Sequence, residues 1–241
     1  MSKGAGSPTD APDEEGFTPT VPGSRSLTRL TLRPLMRGWL GLTADGVEHV
    51  PAQGPVLVAS CHRSHADSVA IASAIRRPVH FLGDRKLTEA PLVGPQLTRL
   101  GMIPLRRGEG DATALELIRS MLLEGACVAV YPEGSRSRDG RVHRLRSGVA
   151  RLAAETRTPV VPTAVLGIEE VWPVNENPRV RGGRVTVRFG EVMAPPDDTP
   201  RSRRSFNMAL QATLAELAGT EMAETFSEPH GGADDPASTG S

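Results

Sequence analysis

Short, unbroken apolar runs alternate along this chain with stretches of helical period, and that alternation limits the fold more than any other feature. Val56-Leu57-Val58-Ala59 has no polar member, so it reads as a strand buried on both faces. Val79-His80-Phe81-Leu82, Cys127-Val128-Ala129-Val130-Tyr131 and Val160-Val161-Pro162-Thr163-Ala164-Val165 read as further strands. Helical segments fall between them at 67–75, from an Asp111 N-cap to Gly125, and at 147–157. Residues 184–189 alternate at period two, as a half-exposed strand does, and 201–218 form a last amphipathic helix. The pattern argues an α/β chain: a single domain with a largely parallel central sheet flanked by helices. Pro162 inside its strand requires a sheet edge or a bulge.

Charge separates the ends from the body. The net charge is formally zero, but residues 1–24 hold one lysine against four acids. Residues 216–241 hold six acids and no Lys or Arg. The middle is therefore basic, at about +9, which suits phosphorylated small molecules, nucleotides or anionic lipid. Residues 1–24 and 222–241 read as disordered acidic tails around a folded 25–221. Two cysteines, Cys61 and Cys127, are too few for a disulfide framework. No apolar run approaches the roughly 18–20 residues that span a bilayer, and the acidic start is unlike a secretory signal. The expectation is a soluble or membrane-peripheral chain on the cytoplasmic side. Leu32, Leu35, Met36, Trp39 and Leu40 share a helical face flanked by Arg29, Arg33 and Arg37, with Pro34 fitting the first turn. Such a helix either packs on the core or lies in a membrane interface with Trp39 at headgroup depth.

Two clusters can carry chemistry. In His62-Arg63-Ser64-His65-Ala66-Asp67 a histidine and an aspartate lie five positions apart, directly after the first strand. A neutral imidazole can take a proton from a hydroxyl, and a carboxylate can fix its tautomer and stabilise the imidazolium that forms. In Tyr131-Pro132-Glu133-Gly134-Ser135-Arg136-Ser137-Arg138 a strand runs into a turn with a carboxylate, a glycine, hydroxyls and arginines. Glycine permits close backbone approach, and arginine offers a planar fork to phosphate. Ligands in parallel sheets sit beyond the carboxyl ends of strands, so His62 and Glu133 could line one cleft. Gly101-Met102-Ile103-Pro104-Leu105-Arg106-Arg107-Gly108 reads as another basic turn.

Four motifs in order, His-x4-Asp, Gly-x-Ile-Pro-x-x-Arg, Tyr-Pro-Glu-Gly-Ser-Arg-Ser and Val-Pro, resemble the glycerolipid acyltransferases typified by 1-acyl-glycerol-3-phosphate acyltransferase. The resemblance covers roughly residues 33–190. It implies acyl transfer from acyl-CoA or acyl carrier protein to the free hydroxyl of a lysophosphatidic-acid-like acceptor, at a membrane surface, with no cofactor and no nucleic-acid partner. It makes His62 the general base and Asp67 its partner. It assigns Arg107, Glu133, Gly134, Ser135 and Arg136 to the acceptor, places Lys86 where the family often has a basic residue, and lets Pro162 shape the cleft floor. Cys61 stands where the family usually has Asn, and Arg106 where Asp often precedes the arginine.

Other chemistries fit less well. His62, His65 and Asp67 lack a further His/Cys cluster to complete a metal site. His65 reads as a surface histidine. Cys61 and His62 are adjacent on an extended segment and point to opposite sides, which opposes a Cys–His nucleophile. There is no Gly-x-Ser-x-Gly elbow. The same chemistry on another lipid or a secondary metabolite, or a non-catalytic module binding anionic lipid, are the alternative readings.

Overall fold

The computed structural model describes residues 41–88, 94–105, 111–172 and 183–227, with Pro34 and Gly38 as isolated helical positions. The remainder of the 32–40 segment, residues 1–24 and residues 228–241 lie outside the described residues.

The elements run β1 (Thr43–Asp45), a 3-10 turn (Val47–His49), β2 (Val56–Ser60), α1 (Asp67–Ala74) and β3 (Val79–Asp84). A second 3-10 turn (Arg85–Leu87), α2 (Gly94–Leu100), β4 (Met102–Leu105), α3 (Asp111–Leu123) and β5 (Cys127–Val130) follow. The chain continues through α4 (Gly148–Thr156), β6 (Val160–Leu166), α5 (Ile168–Val171), β7 (Thr186–Phe189) and α6 (Pro200–Ala218). The seven strands form one sheet in the order β1-β7-β6-β2-β5-β3-β4. Strands β2 to β6 are parallel to one another; β7 runs antiparallel to β6, and β1 pairs parallel with β7. The α/β expectation holds, with a largely parallel sheet.

Burial on both faces explains the unbroken apolar runs. Along β2, Val56 and Val58 join the core beneath α1, while Leu57 and Ala59 join the opposite core with Ile118, Leu152, Leu210 and Leu214. Strand β5 alternates in the same way: Cys127 and Ala129 face α1, and Val128 and Val130 face α3, α4 and α6. Helix α6 begins at an N-cap Thr199 whose hydroxyl accepts from the Ser202 N–H, has Pro200 in its first turn, and ends at a left-handed Gly219.

Two strands were not expected from the sequence. Strand β4 was read as part of a basic turn; it is short, carries Pro104, and lies at the sheet edge, where proline is tolerated. Strand β1 has only three residues. Pro162, by contrast, is not on an edge, because β6 lies between β7 and β2. It sits at a bulge. From the Thr163–Phe189 pair to the Val160–Met193 pair, β6 advances three residues and its partner four. The Pro162 carbonyl accepts from Gly190 N–H on that side, so its missing donor falls where the ladder is irregular. The Arg144 N–H donates to the Thr225 carbonyl, and Val142 pairs with Met222, so residues 222–227 run along the folded body.

Candidate active site

The parallel strands end along one edge of the sheet, and the chemistry-bearing residues follow those ends. Alternation decides which face each side chain takes. Cys61 belongs to the core on the α3–α4–α6 side. The next residue, His62, therefore falls on the α1 side, and Tyr131, two beyond Ala129, falls there as well.

His62 and Asp67 meet. The imidazole Nδ1 lies 2.7 Å from Asp67 Oδ2. The same carboxylate oxygen accepts the backbone N–H groups of Arg63 and Ser64, at 2.8 and 2.9 Å. Asp67 is the first residue of α1, so the helix dipole also favours its charge. A carboxylate that only accepts obliges Nδ1 to be the donor, which leaves Nε2 as the basic nitrogen of the neutral ring. Asp67 is 1 % exposed and His62 16 %, so the dyad is shielded without being sealed.

Tyr131 completes the setting. Its ring stacks on His62, with centroids 3.8 Å apart and planes at 16°. Its hydroxyl is 2.6 Å from Ser68 Oγ on α1. Burial pushes its phenol well above the ordinary range.

Glu133 sits beneath the dyad. Its carboxylate is 0 % exposed, and its two oxygens accept the backbone N–H groups of His62, at 3.3 Å, and of His143, at 2.9 Å. Burial raises its pKa to about 6, against the opposing pull of those two N–H groups. A second tie, from the Ser137 N–H to the His62 carbonyl at 2.8 Å, fixes the 133–137 turn to the histidine segment. Gly134 has φ 79°, and a Cβ there would run into the Arg146 side chain. Ser135 is buried, and its hydroxyl donates to Ser227 Oγ at 2.8 Å. Arg136 is partly buried, and its Nε has no partner among the described residues. Burial lowers its pKa, while the charge of Asp67 opposes that shift.

Residues 41–166, more than half of the 241-residue chain, match the model of the Acyltransferase family. The chain belongs to this acyltransferase family. It is 28% identical over 149 residues to a chloroplastic 1-acyl-sn-glycerol-3-phosphate acyltransferase of Arabidopsis thaliana, a match covering 61% of this chain and 42% of the plant protein. It is 25% identical over 183 residues to the mouse 1-acyl-sn-glycerol-3-phosphate acyltransferase alpha, covering 72% of this chain and 63% of the mouse one. The chain thus spans less than two thirds of the length of these relatives. The crystal structure of the 1-acyl-sn-glycerophosphate acyltransferase PlsC from Thermotoga maritima shares the fold: TM-score 0.63, 22% identity, covering 80% of this chain and 79% of that one.

Within this acyltransferase domain the expected residues are not all alike. His62, Asp67 and Glu133 are brought together, and Arg136 follows them on the same turn as Glu133. Lys86 is exposed on the 3-10 turn after β3, at the same sheet edge, its N–H held by Asp84. Arg107 and Arg106 lie outside the described residues. Cys61 is buried, and its thiol is pushed up to about 12 by that burial, so it is a poor nucleophile. His65 is exposed and tilts against Trp172, with 5.6 Å between ring centroids. Among the described residues no group of three or more His, Cys, Asp and Glu is placed to hold a metal. Sequence reasoning did not foresee the Tyr131 stack, the Ser68 contact or the His143 N–H on Glu133. The first needed β2 and β5 to be known neighbours; the last joins residues ten apart through a main-chain atom that no motif marks.

Proposed function

We propose that this domain moves a fatty acyl group from the thioester of acyl-CoA or acyl carrier protein to the free hydroxyl of a lysophosphatidic-acid-like acceptor. The observation that carries the reading is the His62–Asp67 hydrogen bond at the carboxyl edge of the parallel strands. The thioester is already activated, so no covalent enzyme intermediate is required. His62 Nε2 takes the proton of the acceptor hydroxyl as its oxygen bonds to the thioester carbon. The carbon–sulfur bond breaks, and the imidazolium returns the proton to the departing thiolate. The products are an ester and a free thiol. Asp67 fixes the tautomer and stabilises the imidazolium.

Arg136 holds the acceptor phosphate, with Lys86 as a further cation at that edge, and the family resemblance gives Arg107 the same role. Gly134 and Ser135 shape the turn. Glu133 acts by anchoring the His62 main chain, since both its oxygens are engaged there and at His143. The acceptor is reached at a membrane surface; no helix among the described residues is long and apolar enough to cross a membrane.

The test is free-thiol release from acyl-CoA with and without lysophosphatidic acid. Release that depends on the acceptor, and that falls about 10²–10⁴-fold in His62→Ala, supports the reading. Near-normal turnover by a folded His62→Ala protein would sink it.

A further inference from the structure

A groove of about 520 Å³ opens on the helical layer, between the start of α4 and the first half of α6. Four arginines line it: Arg144, Arg151, Arg203 and Arg204, together with Met208 and Phe226. Among the described residues, its lining holds no acidic side chain. Two of the arginines are balanced from outside it: Arg151 Nε is 3.1 Å from Glu155, and Arg203 is 3.3 Å from Asp198. The Arg144 guanidinium lies over the Phe226 ring, 5.2 Å from its centroid. Met208 and Phe226 are both more than half exposed, so large apolar surface stands open beside concentrated positive charge.

The groove lies on the opposite face of the sheet from the dyad and is tied to it through one stretch of chain. His143 gives its N–H to Glu133, which also holds the His62 N–H, and the next residue is Arg144. Asn207 of the groove donates to the Arg146 carbonyl, and Arg146 Nε donates to the Glu133 carbonyl, so the groove is hydrogen-bonded to the turn that positions the base.

Size and chemistry narrow the occupant. A concave space of this volume suits a small molecule, whereas a protein partner buries a broad surface. Several guanidinium forks together call for more than one phosphate. The half-exposed Phe226 ring, covered by Arg144 on one face, leaves the other for a flat π-system. We propose that this groove holds the phosphorylated adenosine end of a coenzyme A thioester, with the arginines on its phosphates and Phe226 against its base. The proposal rests on the acyl-transfer reading and names its donor.

The test is calorimetric titration of the full chain with coenzyme A, dephospho-coenzyme A, phosphopantetheine and pyrophosphate. Arg204→Glu and Phe226→Ala are compared with Arg119→Glu, an exposed position on α3 outside the groove. Circular dichroism confirms that each is folded. Coenzyme A should bind the wild type more tightly than dephospho-coenzyme A or phosphopantetheine. Arg204→Glu should weaken it by about tenfold or more, and Arg119→Glu should leave it unchanged. Phe226→Ala should weaken coenzyme A about three- to tenfold while leaving pyrophosphate as it was. Coenzyme A binding that ignores both groove variants overturns the proposal. So does phosphopantetheine binding as tightly as coenzyme A, or a loss in Arg204→Glu confined to vesicles of anionic phospholipid. Thiol release without groove-dependent coenzyme A binding overturns the groove alone. Groove-dependent binding without thiol release overturns the acyl-transfer reading and leaves the groove standing as a nucleotide site.

Discussion

The ring of Tyr131 lies flat against the imidazole of His62, 3.8 Å between centroids and 16° from parallel, while its hydroxyl meets Ser68 on α1. The histidine is therefore held on one face by an aromatic ring and at Nδ1 by a carboxylate. A π-face attracts a cation, so the stack supports the imidazolium that forms during proton transfer. Tyr131→Leu should lower kcat in thiol release by about three- to tenfold, the worth of an aromatic contact. Tyr131→Phe keeps the ring and should keep most of the rate, losing about 1 kcal/mol of stability with the Ser68 bond. Equal rates for the Leu and Phe variants would show that the ring has no part in turnover.

Asp67 does two jobs with one oxygen, accepting His62 Nδ1 and the N–H groups of Arg63 and Ser64. Asp67→Asn keeps the shape but puts an amide where the carboxylate took three donors. The expected result is a fall in kcat of about 10²–10⁴-fold, because the ring loses its enforced tautomer. Chemical unfolding should also show a loss of about 1–3 kcal/mol from the unmatched donors. Full activity in Asp67→Asn would leave His62 needing no carboxylate partner.

How much of this was legible follows from distance along the chain. The dyad could be read because its members are five residues apart and follow a strand, so local geometry nearly suffices. The parallel sheet could be read because burial on both faces leaves runs such as Val56–Ala59 without a polar residue. Glu133 could be located but not understood. Its carboxylate contacts main-chain atoms of His62, 71 positions away, and main-chain donors leave no trace in side-chain identity. Pro162 announced an irregular ladder correctly, yet which of edge or bulge depended on β7 folding back beside β6.

Glu133 makes a prediction in pH. Its folded pKa is raised from 4.5 to about 6, chiefly by burial. A raised carboxyl pKa means the folded state binds the proton more tightly, so its contribution to stability is fully present below about pH 4.5 and is lost as pH rises through about 6. Glu133→Gln removes that titration. Urea unfolding of both proteins should therefore show the wild type gaining about 1 kcal/mol relative to the variant as pH drops from about 7 to about 5. A stability difference that does not change across that range would mean the carboxyl is not perturbed by its burial.

Gly134 separates conformational demand from chemistry. Its φ of 79° lies in the left-handed region, and an added Cβ would meet the Arg146 side chain, which donates from Nε to the Glu133 carbonyl. Gly134→Ala should cost about 1–2 kcal/mol from backbone strain alone. Relief of the clash has to move either Arg146 or the turn. If the turn moves, Glu133 moves with it, and the His62 N–H loses its anchor. The expected outcome is a lowered melting temperature together with reduced thiol release, although Gly134 carries no reactive group. Arg146→Ala in the same background clears the obstructing side chain. It should restore part of the activity while the strain at residue 134 keeps the melting temperature low. No recovery in that double variant would show that the backbone conformation, and not the collision with Arg146, is what displaces the turn.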